Sequence, residues 1–315
     1  MISFKVQSDV RITCHTANAV FVSILIAFLT SSLNVPAGTS NNLVIRVLYM
    51  EATGDEEIFF LKHALEEQTN IVVKALFYDQ RGETRAARNE IVYVDQRNGD
   101  KVHRVQHTRH GYPKTLEQLL RYDVVICSDV ARTAFTAEQM SNTVSFVATY
   151  GRGFAMIGGQ TSFGSGYYDQ TPLEQIIPVE MSASRDNVDR QFQVRIPTAA
   201  VDHPILKLDA NAAENRNAWE RLPPFLGFNR VDGPKPGAIV LWEHSTEQTA
   251  KGPSVILAIQ EIGQGRTLAF TTDTTAKWGR AFEQEWGPDS RHYKQFWANA
   301  VRWLAAKRVA MPINK

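Results

Sequence analysis

Residues 154–166 read FAMIGGQTSFGSG, and the passage from an apolar run into a small, polar turn decides the fold. Phe154 to Ile157 is what a strand buried on both faces of a parallel sheet requires, and the turn after it is what such a strand needs where its carboxyl end opens onto a ligand crevice. Gly158 and Gly159 permit positive φ or close approach of another group, while Thr161, Ser162 and Ser165 supply hydroxyls and N–H groups beside Gln160. Upstream, Gly151-Arg152-Gly153 ends a helix predicted from a Thr136 cap to about Tyr150. Before that lies a strand, YDVVIC, at 122–127, which ends in Ser128-Asp129 and follows a short helix over 113–120. Further back, LVIRVLYM at 43–50 and IVVKALFY at 71–78 are nearly continuous apolar strands. The 56–68 segment between them has Ile58, Phe59, Leu61, Ala64 and Leu65 at helical spacing. This alternation predicts a doubly wound, mostly parallel α/β sheet with right-handed crossovers. Ser128-Asp129 and the Gly158 turn then share its carboxyl edge.

Two regions depart from that pattern. Residues 79–112 are polar and basic, with alternating stretches on either side of Asn98-Gly99, which predicts a hairpin insertion. His103, His107 and His110 fall inside it as weak candidates for a metal site, although no recognised ligand motif frames them, so no metal or other cofactor is expected. Past Met181, strands are expected at 191–196, 238–242, 254–259 and 266–272, without helices between the last three, which predicts an antiparallel C-terminal extension. A closing helix over 291–307 places Phe296, Val301, Trp303 and Leu304 at helical spacing, as core rather than as a ligand cage.

The chain has 315 residues, with 43% hydrophobic and 21% charged, enough to bury a large core. A net charge of +1 gives no electrostatic basis for nucleic-acid binding, and two cysteines, Cys14 and Cys127, make no disulfide framework. No Walker-type Lys or Gly-x-Gly-x-x-Gly fingerprint accompanies the glycines, which argues against a nucleotide. Between Arg11 and Arg46 there is no charged residue, and ANAVFVSILIAFLTSSL at 17–33 is an apolar run after Lys5 and Arg11. Residues 1–37 are therefore expected to be a signal peptide, cleaved near Val35-Pro36-Ala37, or an N-terminal membrane anchor. The apolar core falls short of the roughly 20 residues of a spanning helix, which favours cleavage. The expected location is the periplasm or cell envelope, with membrane association only through an uncleaved N-terminus. A linker at 38–42, a domain at 43–308 and a tail at 309–315 complete the organisation.

Several segments together resemble a known family: Val47-Leu48-Tyr49-Met50-Glu51, Tyr122 to Ile126, Gly151 to Gly159 with Ser162-Phe163-Gly164, Thr171-Pro172-Leu173-Glu174, Ile177-Pro178-Val179, His203-Pro204-Ile205 and the Phe296-Trp297 helix. The resemblance is to the class I glutamine amidotransferase-like domains of bacterial envelope proteins, which often accompany von Willebrand type A proteins. It implies a flavodoxin-like sheet and an envelope partner of that kind. It also implies where a catalytic Cys and His would stand: the Cys on a Gly-x-Cys-x-Gly elbow, the His after a later strand. Here the elbow reads Gly159-Gln160-Thr161-Ser162-Phe163-Gly164 and the later strand ends Thr271-Thr272-Asp273-Thr274-Thr275, with neither residue present. The expectation is a domain without glutaminase activity that binds a small polar ligand, a glycan or an envelope protein. The alternative is an active hydrolase or amidotransferase with Ser162 or Cys127 as nucleophile and His203 or His292 as base, oriented by Asp202, Asp273 or Glu180. For the binding reading, the expected ligand residues are Gly158, Gly159, Gln160, Thr161, Ser162, Asp129 and Asp273, with Trp278 as an aromatic platform aided by Tyr167 or Tyr168.

Overall fold

The computed structural model describes residues 43–52, 57–78, 90–95, 101–106, 111–185 and 187–307. The expected signal or anchor, and His107 and His110, lie outside them. In chain order the elements are β1 (Ile45–Glu51), α1 (Glu57–Glu66), β2 (Ile71–Phe77), β3 (Glu90–Asp95), β4 (Lys101–Gln106), α2 (Leu116–Leu119), β5 (Val124–Ser128), α3 (Ala137–Ala148) and β6 (Gly153–Ile157). There follow β7 (Val179–Met181), β8 (Asn187–Val188), β9 (Val194–Arg195), α4 (Ala212–Glu220), β10 (Phe228–Asn229) and β11 (Val231–Pro234). The chain closes with β12 (Ile239–Thr249), β13 (Gly252–Ile262), β14 (Gly265–Phe270), α5 (Ala276–Gln284) and α6 (Arg291–Ala305).

The main sheet has the order β2-β1-β5-β6-β14-β13-β12-β9. From β2 to β14 every pairing is parallel, and from β14 onward every pairing is antiparallel. This is the doubly wound flavodoxin-like order with an antiparallel extension. Because the order reverses between β1 and β5, the crevice rule for open α/β sheets points to the carboxyl ends of those two strands.

Each face of the sheet buries its own core. Val47, Tyr49, Ile126, Leu268 and Phe270 face α1 and α6, while Leu48, Met50, Val125, Cys127 and Met156 face α3. Strand alternation fixes this sorting, since neighbouring residues project to opposite sides. α3 begins with a capping box, in which Thr136 Oγ1 accepts from Gln139 N–H at 3.1 Å and Gln139 Oε1 accepts from Thr136 N–H at 2.8 Å. Gly153 is glycine because a Cβ there would stand 2.7 Å from Leu304 Cβ, so its absence lets α6 lie directly on β6. At the amino end of the sheet, Arg152 reaches Asp123 Oδ1 at 2.5 Å, and Arg46 Nε reaches Oδ2 of the same carboxylate at 3.2 Å.

Two helices are not expected from the sequence. α4 carries a single fully buried residue, Ala218, and is set by the Asn211 cap, whose side chain accepts from Ala213 and Glu214 N–H. α5 follows the Thr271-Thr272-Asp273-Thr274-Thr275 run without a side-chain cap. β12 and β13 are 11 residues each, longer than expected, because their paired polar ends continue past the core with register shifts between Val240 and Gln248. β3 and β4 pair antiparallel with Tyr93 opposite His103. Among the described residues no helix is long and apolar enough to cross a membrane.

Candidate functional site at the carboxyl edge

The Gly158 turn is held from within. Gly158 N–H donates to Phe270 O at 2.7 Å and Thr272 O at 3.0 Å, and a Cβ on Gly158 would stand 2.4 Å from Thr271 O. Gly159, at φ 150°, lies so close to Asp129 that a Cβ would meet its Cγ at 2.6 Å. The glycines thus serve the approach of the turn to β14 and to Asp129. Asn229 then claims both polar atoms of Gly159: its Oδ1 accepts from Gly159 N–H at 3.0 Å, and its Nδ2 donates to Gly159 O at 2.8 Å. The same Nδ2 donates to Asn187 Oδ1 at 2.6 Å, which also accepts from Ser165 Oγ at 2.6 Å, and Asn187 Nδ2 donates to Gln160 O at 3.1 Å. Asn187 and Asn229 face each other in the two-stranded pair β8–β10. Sequence reasoning missed both, because two-residue strands in an irregular stretch leave no periodic signal.

Ser162 is fully buried, and its hydroxyl is engaged twice: it donates to Ile157 O at 2.6 Å and accepts from Asp129 N–H at 3.1 Å. Thr161 N–H donates to Asp129 Oδ1, and its hydroxyl donates to Asp129 O at 2.5 Å. Asp129 itself holds φ 50°, a strained value for a non-glycine residue that these bonds maintain. Of the expected ligand residues in this turn, Gln160 is exposed and Thr161 half-exposed.

The alternative nucleophile and its bases are scattered. Cys127 is buried on the α3 face, its Sγ 3.7 Å from Tyr168 Oη, and burial pushes its thiol up to about 12. That leaves it protonated at neutral pH, the opposite of an activated thiolate. Tyr168 is buried too, its hydroxyl donating to Val130 O at 2.5 Å, whereas Tyr167 is exposed under the Arg185 guanidinium at 4.6 Å. His203 accepts from Ile205 N–H and packs edge-on to Trp303, whose carbonyl holds Arg266 at the start of β14. That is the amino end of the sheet, opposite the turn. His292 sits against Trp286 and Gly287, Asp202 is exposed, and Glu180 pairs with Lys251. Among the described residues no histidine is a hydrogen-bond partner of Ser162 or Cys127. Trp278 is not an open platform. It is buried, lies flat against the Gly227 backbone, and donates its indole N–H to Asp189 Oδ1 at 2.6 Å. Among the described residues no group of three His, Cys, Asp or Glu is arranged to hold a metal.

What the structure gathers instead is a set of acids and hydroxyls at the ends of β1, β5 and β14. Glu51, in register with Ser128, is buried, accepts from Tyr49 Oη at 2.6 Å and from Ala52 N–H at 3.0 Å. Its carboxyl is held well above the ordinary range, first by burial and then by the charges of Asp129 and Asp273, against the opposing Tyr49 bond. Asp273 accepts from Thr274 N–H at 2.6 Å. The hydroxyls of Ser128, Thr274 and Thr275 are buried and make no formed hydrogen bond, although Ser128 lies beside Glu51 closely enough to favour its charged form. In the sequence Glu51 stands just past the apolar strand at 43–50 and enters only through the Val47 to Glu51 segment of the resemblance, with no role assigned to it.

The GATase1_like family model, described as a putative glutamine amidotransferase, matches residues 84–306, more than half of the chain. The chain belongs to this family. Among solved structures, the GATase1-like fold is shared with a cytoplasmic protein of Salmonella typhimurium, STM3548, at a TM-score of 0.59 and 18% identity over 83% of this chain and 99% of that one. STM1381 of Salmonella typhimurium LT2, also named a cytoplasmic protein, matches at 0.59 and 21% identity over 82% and 99%. At such identity the likeness concerns the fold alone. No curated protein matches the sequence.

Proposed function

We propose that this GATase1-like domain lacks glutaminase activity and acts as a binding module at the cell envelope, taking a small polar ligand or glycan at the carboxyl edge of its sheet. The observation that carries the reading is the condition of the turn after β6. Where the family resemblance puts a nucleophile, Ser162 has both sides of its hydroxyl committed to backbone groups, and no histidine among the described residues hydrogen-bonds it. A serine whose proton is donated to a backbone carbonyl is not activated as a nucleophile, and the buried Cys127 thiol offers no substitute. Export rests on the apolar run at 17–33, and an envelope partner, including a von Willebrand type A protein, rests on the resemblance.

The nucleophile question is answered by incubating the chain with a diazoketone analogue of glutamine, which alkylates an activated cysteine or serine in a glutamine site. The expected result is an unchanged intact mass. Stoichiometric labelling lost in Cys127→Ala or Ser162→Ala would establish the competing reading, an active envelope hydrolase or amidotransferase. Export is tested separately by fusing residues 1–42 to a reporter that is active only outside the cytoplasm, with activity expected and its absence excluding export.

A further inference from the structure

β12 loses its register with β13 between Glu243 and Gln248, and the residues in that gap begin His244-Ser245-Thr246-Glu247. A bulge leaves backbone N–H groups off the ladder, and here the histidine takes up two of them. His244 Nδ1 accepts from Thr246 N–H at 3.1 Å and from Glu247 N–H at 2.8 Å, while Ser245 N–H donates to Gln193 O at 3.0 Å. A ring nitrogen that accepts carries no proton, so the imidazole is neutral with its hydrogen on Nε2. That Nε2 is buried and without a partner among the described residues. The ring lies flat on Phe192, with centroids 4.6 Å apart and planes at 12°, and tilted against Phe228 at 5.2 Å.

The bulge reaches the Gly158 turn by two routes. Glu247 accepts from Arg190 at 2.5 Å and from Arg230 Nη2 at 2.9 Å, and Arg230 follows Asn229, whose amide holds both polar atoms of Gly159. Phe228, against the ring, precedes Asn229, and the two pair with Val188 and Asn187 of β8. We propose that His244 is a proton-operated latch: a second proton on its ring releases the β12 bulge that it caps, and the β8–β10 pair that clamps the Gly158 turn loosens with it. This deepens the binding reading, on which it rests for the turn's role, by giving the same site a regulation.

The second proton goes to Nδ1, which then confronts two N–H donors instead of accepting from them, and both bonds are lost. The charge also arises in a buried ring, where it is costly. Among charged groups, Glu247 favours the imidazolium and Arg190 opposes it. The Glu247 carboxylate is already shared between Arg190 and Arg230, and Arg195 of β9 is held by Glu243 at 2.5 Å. Burial, the largest influence, therefore holds the ring below its usual 6.5. A group with a depressed folded pKa contributes stability that is complete above 6.5 and is lost as pH falls through the folded value.

The test is hydrogen exchange of the full chain, followed by mass spectrometry over peptides spanning 244–249 and 157–162. It is run at about pH 7.5, where an imidazole is neutral, and at about pH 4.5, well below its ordinary range, with each rate referred to an unstructured peptide at the same pH. Protection of both segments should fall about tenfold at the lower pH, the worth of one to two backbone hydrogen bonds. His244→Asn places an amide oxygen where the ring has Nδ1 and does not titrate, so its protection should be the same at both pH values. His244→Ala, with no acceptor, should leave both segments as unprotected at the higher pH as the native chain is at the lower. No acid loss in the native chain, an equal loss in His244→Asn, or full protection in His244→Ala overturns the latch. A loss confined to 244–249 overturns its link to the turn. Ammonia release from glutamine overturns the binding reading and leaves the exchange results standing, so the two failures are distinguishable.

Discussion

Asp123 at the amino end of the sheet and Glu51 at the carboxyl end are both buried acids on or beside the central strands, and they are treated in opposite ways. Asp123 is gripped by two guanidinium groups, with Arg152 at 2.5 Å and Arg46 at 3.2 Å. Glu51 is buried near the charges of Asp129 and Asp273, and the bonds it accepts from the Tyr49 hydroxyl and Ala52 N–H come from neutral groups. A buried charge is tolerable when paired and costly when surrounded by its own kind. The amino end is therefore built for stability, whereas the carboxyl end keeps polar groups that the fold alone does not satisfy. Such an arrangement is expected where a protein reserves groups for a ligand.

The largest expected effect breaks the stable half of this contrast. Arg152→Ala takes from the buried Asp123 carboxylate its buried guanidinium partner, and should cost about 3–5 kcal/mol in urea unfolding, the usual loss when one partner of a buried pair is removed. A loss below about 1 kcal/mol, as for a surface pair, would show that water reaches Asp123. Next in size is Asn229→Ala, which strips both polar atoms of Gly159 of their partner. It should cost about 1–3 kcal/mol, the penalty for leaving buried groups unsatisfied, and an unaffected midpoint would contradict the closed-turn description.

Glu51→Gln probes the other half through pH. Because the folded-state pKa is raised above the ordinary 4.5, the unfolded chain gives up the proton first as pH rises. The stability tied to the protonated carboxyl is complete below 4.5 and declines as pH climbs from there toward the folded pKa. Gln cannot ionise and escapes that decline, so the variant should gain on the native chain steadily with rising pH. Parallel pH profiles would show that the folded-state pKa of Glu51 is not raised. The smallest effect belongs to Cys127. Its thiol, pushed up to about 12, should react with a disulfide reagent at mildly alkaline pH only as fast as the chain unfolds, and reaction at the rate of a free thiol would make it accessible.

The fold was largely legible. Continuous apolar strands at β1, β2, β5 and β6, with amphipathic helices between them, leave little choice but a doubly wound sheet, and the strands without helices after Ala238 announce the antiparallel side. The helices α4 and α5 were not legible, since a polar segment with one buried alanine, and one beginning after a run of threonines, lack the period that betrays a helix. In the site, the residues near the Gly158 turn were visible as a polar patch after a strand, but not what they do. Asn229 lies 70 residues from Gly159, and only the folded chain brings its amide there. Trp278 reads as a surface aromatic because sequence does not show Gly227 beneath it or Asp189 at its indole. Glu51 was hidden by the apolar strand that carries it.

The decisive property of this edge is whether it performs chemistry on glutamine. Ammonia release from L-glutamine, followed with the full chain over the neutral pH range, should not exceed the rate without protein. Saturable ammonia release that disappears in Cys127→Ala or Ser162→Ala would contradict it.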